Sequence, residues 1–295
     1  MSKQLFDTFI IGQPSLDINT DYDGTTISAF GGAVVYSGYA AGALGHPTAV
    51  LPKADLAKTD VQALFADAKN VSVFPVASTH GTSISNVYHT ADRERRTCKA
   101  ISSIDPYRVE EIPDIDANIY HLAGLVHGDI GEEIIAFAAK KAKVAVDVQC
   151  LLRWVEDGNM VFHDWAKKKE YLPLIDYLKT DAAEAEILTG LTDRPAAAQQ
   201  LFDWGAKEVM ITHNTEVLVY DGKTFYTHPI KSRNLSGRTG RGDTTFAGYL
   251  NERISGDIPT ALLWATALVS LKMETPGPFK GTRADVEEYI RMFYR

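Results

Sequence analysis

Two glycines flank a single residue in Thr239-Gly240-Arg241-Gly242-Asp243-Thr244, where an amphipathic helix must begin. Glycines there let the backbone turn tightly and present several N–H groups at the positive end of a helix. Such a turn seats an anion, above all a phosphoryl group gaining charge in transfer. Asp243 falls in the first helical turn, a carboxylate beside that seat. The competing reading is a plain turn with Asp243 as a helix cap, and on this step alone it is the stronger. Other reactive residue types say less. Of eight histidines, His121, His127 and His163 have no metal-ligand spacing to a second histidine or cysteine, so they read as packing or surface groups. Cys98 and Cys150 are too few for a disulfide framework or a four-sulfur zinc site. Cys150, beside Leu151-Leu152, reads as a small buried hydrophobe. Trp154, Trp165, Trp204 and Trp264 read as core or edge aromatics.

The elements that must position such a loop alternate along the chain. Strand-like runs stand at 6–12, 48–51, 71–74, 118–122, 143–147 and 208–212, and helical patterns at about 33–45, 59–69, 130–142 and 195–204. Strands spaced by helices predict an α/β fold with a doubly wound, mostly parallel sheet, read as one domain over 1–295. Two places break the rhythm. Residues 82–101 form a hairpin pattern around the charged turn 92–96, and residues 13–30 are rich enough in Thr and Asp to join it as a small β-lid. Residues 217–220 and 225–228 form a second hairpin turning at Asp221-Gly222. Residues 24–52 carry no Asp, Glu, Lys or Arg, yet their Gly, Ala, Ser and Thr partition weakly into lipid. A buried helix of small residues, closely approached by a sheet, is expected there instead. The lysines at 140–141 and 167–169 read as solvated helix faces.

Composition narrows the classes. The chain has 295 residues, 45% hydrophobic and 23% charged, with a net charge of −8. Such a field repels phosphate backbones and sets the chain against general nucleic-acid binding, while leaving room for one bound nucleotide. No basic-then-apolar leader opens the sequence, and the two cysteines suit a reducing, cytoplasmic setting.

Several segments together resemble the PfkB/ribokinase family of carbohydrate kinases. Gly240-Arg241-Gly242-Asp243 with Phe246-Ala247-Gly248 is similar to its C-terminal signature, a GAGD loop opening a helix. Phe30-Gly31-Gly32-Ala33 through Leu44-Gly45 is similar to its N-terminal signature. Gly12 to Asp17 matches the first-strand end that carries a substrate-binding aspartate. Asp147-Val148-Gln149 with Arg153-Trp154 resembles the D-x-N…R-x-W run. The stretch from Lys179 to Gly190 resembles the N-x-x-E motif with its trailing L-T-G. The matches fall in order from residue 6 to residue 281 and so cover nearly the whole chain.

The resemblance implies a kinase that moves the γ-phosphoryl group of ATP to a hydroxyl of a sugar or polyol. It makes Asp243 the general base, with Gly240, Arg241 and Gly242 around the anion hole. Asp17, Gly31, Gly32 and Tyr36 would meet the acceptor. Glu184 would orient Mg²⁺ through water, and Arg153, Thr212 and Thr239 would face ATP. The hairpin at 217–228 and the segment 261–281 would wall the adenine, Gly31-Gly32 would hinge the lid, and lid edges would pair two chains as a homodimer.

Departures matter as well. Arg241 replaces the usual alanine, and it either braces the γ-phosphate or points into solvent. Gly237 replaces an acid that belongs to a monovalent-cation site in ribokinase-like members, which puts potassium activation in doubt. Tyr36 stands where an asparagine is usual, and Asp181 where the N-x-x-E motif has asparagine. Thr212 to Glu216 departs from T-x-G-x-x-G. Among rivals, a dinucleotide oxidoreductase lacks its G-x-G-x-x-G after the first strand. A nucleoside kinase shares every motif, and a non-catalytic sugar or nucleotide sensor would keep the fold without turnover.

Overall fold

In a computed structural model, which describes residues 4–90 and 95–294, sixteen strands are defined. In chain order they are β1 (Leu5–Gly12), β2 (Ser15–Thr20), β3 (Thr26–Gly31), β4 (Thr48–Ala54), β5 (Val71–Val73), β6 (Val76–Ala77), β7 (Thr82–Tyr88) and β8 (Arg96–Ser102). They continue with β9 (Asp116–Leu122), β10 (Lys143–Asp147), β11 (Arg153–Glu156), β12 (Asn159–Phe162), β13 (Tyr177–Asp181), β14 (Val209–Thr212), β15 (Glu216–Tyr220) and β16 (Phe225–Pro229). The charged turn at 92–94 lies outside the described residues.

The main sheet runs β16-β15-β14-β13-β10-β9-β1-β4-β5, with β6 beside β4. All its pairings are parallel except β14–β15 and β15–β16. Helices cover both faces, so the central strands are buried on both sides. Phe9, Ile10 and Ile11 of β1 and Val144, Ala145 and Val146 of β10 are essentially inaccessible, which is why these strands read as unbroken apolar runs.

The uncharged stretch becomes the helix Ala33–Ala43, and every residue in it is buried. Its glycines serve close approach: a Cβ on Gly42 would lie 1.9 Å from the Lys69 carbonyl oxygen. Ala40, Ala43 and Leu44 pack with Ala247 and Leu268 of the helices Arg241–Glu252 and Ile258–Lys272. The helical pattern at 59–69 shortens to Val61–Leu64, because Phe65 turns inward onto Tyr39 and the chain reverses at Asn70, φ 57°.

The second sheet runs β11-β12-β8-β7-β2-β3. It takes strands from the expected stretches 13–30 and 82–101, and adds the hairpin of β11 and β12. The signal for that hairpin is Asp157-Gly158, both at positive φ, the dipeptide that favours a two-residue turn matching strand twist. Among the described residues no helix is long and apolar enough to cross a membrane.

Candidate active site

A cleft of about 420 Å³ opens between the second sheet and the carboxyl ends of β1, β9, β10, β13 and β14. Open α/β sheets gather ligands at that edge, because helix N-termini and strand-end loops converge there. Asp17, Gly32, Tyr36, Arg153, Thr212, Thr239, Gly240, Arg241, Gly242 and Asp243 all line it. Gly31 and Glu184 do not.

At the loop, Gly240 takes φ 77° and is itself the N-cap of helix Arg241–Glu252, with no side-chain cap. Asp243 is therefore the third residue of the first turn and does not serve as the cap. The N–H groups of Gly242 and Asp243 are first-turn donors that no intrahelical carbonyl can reach. The Tyr36 ring supports the loop, since a Cβ on Gly240 would stand 2.2 Å from it. Ser37 adds a 3.4 Å hydrogen bond from its hydroxyl to the Asp243 carbonyl. Burial, then Asp147, pushes the Asp243 carboxyl up to about 6, against the pull of Lys179, Lys272 and Arg153. A carboxyl tuned toward neutral pH is suited to general-base work.

Behind Gly242 lies Lys179, a residue to which the sequence reading assigned no role. A Cβ on Gly242 would come within 3.1 Å of its Nζ. Lys179 ion-pairs with Asp147 at 2.9 Å, with both side chains almost fully buried. Burial works to lower the Lys179 pKa, but Asp147, Glu184 and Asp181 outweigh it and keep the group charged. The anion seat thus rests on a fixed ammonium. Glu184 is spent locally: it forms a capping box in which its carboxylate accepts the Asp181 N–H at 2.9 Å while its own N–H donates to Asp181. Burial raises the Glu184 pKa, Lys179 opposing.

The rest of the cleft's loop end is cationic. Arg241 donates to Asn214 at 2.7 Å, and so lies along the cleft wall. Arg153 donates to Gln149 at 2.6 Å, and Arg238 also lines the wall. Thr212 is buried beside the Thr180 carbonyl, whereas Thr239 is exposed. No described residue of 217–228 or 261–281 lines the cleft. Among the described residues no cluster of three His, Cys, Asp or Glu side chains is placed to hold a metal ion. Beside the glycine loop, Asp181 and Asp243 are the carboxylates in the wall, enough for an Mg²⁺ that keeps its waters and rides on phosphates.

The opposite end is the cleft-facing row of the second sheet: Ser15, Asp17, Ile84, Asn86, Tyr88 and Cys98. The Ser15 hydroxyl donates to Asp17 at 2.7 Å and fixes its carboxylate. Asn86, opposite Cys98 across the strands, donates to Asn19 at 3.1 Å. Gly31 ends β3 where a Cβ would press on Asp17 and Tyr36, so it shapes this corner from behind. Burial, then Asp17 and Asp243, holds the Tyr36 hydroxyl protonated and hence a donor. The three histidines stand outside the cleft lining: His121 is buried against Phe246, while His127 and His163 pack on Trp154.

Comparison with known proteins agrees with this geometry. The family model described as pfkB family carbohydrate kinase matches residues 115–283. A cytidine kinase of Thermococcus kodakarensis is 26% identical over 260 residues, 83% of this chain and 88% of that protein. A pyrophosphate-dependent kinase of the ribokinase family, solved with a pyrophosphate analog and myo-inositol, is 33% identical with a TM-score of 0.86, covering 95% of this chain and 99% of that one. In another solved structure, 32% identical at TM-score 0.86 over 98% and 100% of the two chains, replacing an asparagine and a serine by leucines converts a pyrophosphate-dependent myo-inositol-1 kinase into a myo-inositol-3 kinase. Motif order, sheet topology and these matches lead to one conclusion: the chain belongs to the pfkB family of carbohydrate kinases.

Proposed function

We propose that this kinase phosphorylates a hydroxyl of a cyclic polyol of the inositol class, with inorganic pyrophosphate as donor. The observation that carries the donor is the shape of the cleft. Its anion end is walled by Lys179, Arg153, Arg238 and Arg241, and no described residue of 217–228 or 261–281, the segments expected to hold adenine, lines it. The solved relatives that use pyrophosphate, at 32–33% identity, support the same reading. Vicinal hydroxyls suit Asp17, which accepts two hydrogen bonds when ionised and donates none.

In this reading the acceptor hydroxyl attacks phosphorus as its proton passes to Asp243. The new O–P bond forms while the bond to the bridging oxygen breaks, releasing orthophosphate. The N–H groups of Gly242 and Asp243 hold the charge that develops on the transferred group, backed by Lys179. Mg²⁺ would neutralise donor charge, and Asp181 and Asp243 would hold it through its waters. The second sheet acts as a lid, and its outer strand β3 pairs two chains. We place the activity in the cytoplasm, in line with two free thiols.

ATP is the second reading, favoured by the glycine loop and its family signature. A nucleoside acceptor draws support from the cytidine kinase relative. A donor-by-acceptor panel read by ³¹P NMR decides among them. The expected result is a polyol monophosphate and orthophosphate from pyrophosphate, with little ADP in the ATP arm. Phosphoryl transfer only from ATP overturns the donor, product only from nucleosides overturns the acceptor, and no transfer at all favours the sensor.

A further inference from the structure

We propose that Lys272 is a built-in monovalent cation, whose buried ammonium binds the carbonyl side of the 237–240 loop as a potassium ion would. The phosphoryl seat would then be ordered and charged without any ion from solution. The inference rests on the phosphoryl-transfer reading above and adds a positioning residue to it.

Lys272 ends an otherwise apolar helix and is 2% exposed. Its Nζ donates to the Gly237 carbonyl at 2.5 Å and to the Thr239 carbonyl. It also stands 4.9 Å from the centroid of the Tyr36 ring, the same ring on which Gly240 rests. Two carbonyl oxygens and an aromatic face are what a partly dehydrated monovalent cation seeks. The loop is clamped around this point. Gly237 N–H donates to Met273 O at 2.7 Å, and a Cβ on Gly237 would fall 2.0 Å from the Thr275 carbonyl oxygen.

Consecutive peptide groups in so tight a turn send carbonyls to one side and N–H groups to the other. A positive charge under the carbonyls therefore orders and polarises the donors that face the cleft. Residues 234–242 include no Asp or Glu, so the loop brings no carboxylate of its own to hold a free ion. A tethered ammonium supplies the charge with no binding equilibrium. Burial lowers the Lys272 pKa to about 8, Asp243 opposing, so the group is charged near neutral pH.

The test measures turnover of wild type, Lys272→Ala and Lys272→Met near neutral pH in potassium, ammonium, sodium and tetramethylammonium salts. Ionic strength is held constant so that screening does not change. Wild type should vary by less than about twofold across the cations, because its charge is covalently attached. Lys272→Ala should lose roughly 10²-fold in kcat in tetramethylammonium, as for loss of an anion-hole donor, with acceptor KM little changed. Potassium or ammonium should then restore most of that loss in a saturable way, whereas Lys272→Met, which fills the space, should not respond.

A wild type strongly activated by potassium overturns the proposal, and so does a Lys272→Ala enzyme that no cation improves. Thermal melting gives a readout independent of turnover. Potassium in place of tetramethylammonium should raise the melting temperature of Lys272→Ala and leave wild type and Lys272→Met unmoved. If the panel of donors shows no kinase activity, this melting pattern still decides the cation question, and an equal response of all three proteins overturns it. Should Lys272→Ala fail to fold, the wild-type cation series and the folded Lys272→Met variant carry the decision: a potassium response in either overturns the idea.

Discussion

Asp243 is held between two demands, the fold and the reaction. Burial, and Asp147 beside it, raises its pKa to about 6. An acid that binds its proton more tightly when folded makes stability fall as pH rises from the ordinary carboxylate range to that value. Above it the ionised group weighs fully against the fold. Asp243→Asn removes both the proposed base and this burden. We expect kcat to fall by roughly 10²–10⁴-fold, while stability at neutral pH rises by on the order of 1 kcal/mol. In the wild type, turnover should rise with pH through an apparent pKa near 6. Normal turnover in the variant, or a lower melting temperature, would contradict this account. Asn86 makes a different case. It is 7% exposed, sits on the cleft-facing row, and spends one amide hydrogen on Asn19. Leucine there removes the remaining polar contacts and adds methyl bulk, so an inositol ring should bind in a different rotation. Asn86→Leu is expected to change which hydroxyl is phosphorylated, read by ¹H–³¹P correlation of the product; an unchanged regioisomer would take Asn86 out of the acceptor end. Asp243 was legible because its motif is local in sequence. Lys179 and Lys272 were not, since a lysine within a strand or at a helix C-terminus reads as a surface charge until packing buries it.

Among the elements, the loop and its helix turn on two glycines that are not equivalent. Gly240 is left-handed at φ 77°, and a Cβ there would enter the Tyr36 ring. Gly242 has ordinary helical geometry, and its nearest neighbour is the side-chain end of Lys179, 3.1 Å away. Gly240→Ala should therefore both destabilise, by about 1–3 kcal/mol, and collapse kcat as the anion seat distorts. Gly242→Ala should lose less in melting temperature than Gly240→Ala, because its methyl asks Lys179 to give by only a few tenths of an ångström, yet raise the KM for the phosphoryl donor as the ammonium behind the seat shifts. Steady-state kinetics paired with thermal melts distinguishes the two, and equal melting losses would refute the distinction. Sequence periodicity located the parallel strands well, since strands buried on both faces announce themselves as apolar runs. It overran the helix at 59–69, where the inward turn of Phe65 is a tertiary choice. It also left the β11–β12 hairpin out of the second sheet, because the three hairpins of that sheet are joined only by pairings across 60 residues and more of chain, Asn159 with Lys99 and Ser15 with Thr82.

For the whole molecule, the question is what the outer edge of the second sheet is for. β3 pairs with β2 on one side and ends the sheet on the other. Five of its six residues are exposed, among them Ile27 at 63% and Phe30 at 39%. A free edge with apolar side chains on both faces is a template for another strand, and natural proteins usually blunt such edges with charge or proline. From Thr26 to Gly31 there is neither. The chain also carries a net charge of −8, so two copies repel at long range and need a local apolar match to associate. An edge left this bare is consistent with the proposed pairing, edge to edge, with the same strand of a second copy. Sedimentation equilibrium should report a dimer at micromolar concentration, and Ile27→Lys with Phe30→Lys should shift it to monomer while the melting temperature of the fold stays close to wild type. Because Gly31 ends this strand and Gly32 caps the next helix, the monomeric variant should also lose acceptor affinity more than donor affinity, through a looser second sheet. A wild type that sediments as a monomer at all concentrations would remove β3 as an interface and leave the lid to close alone.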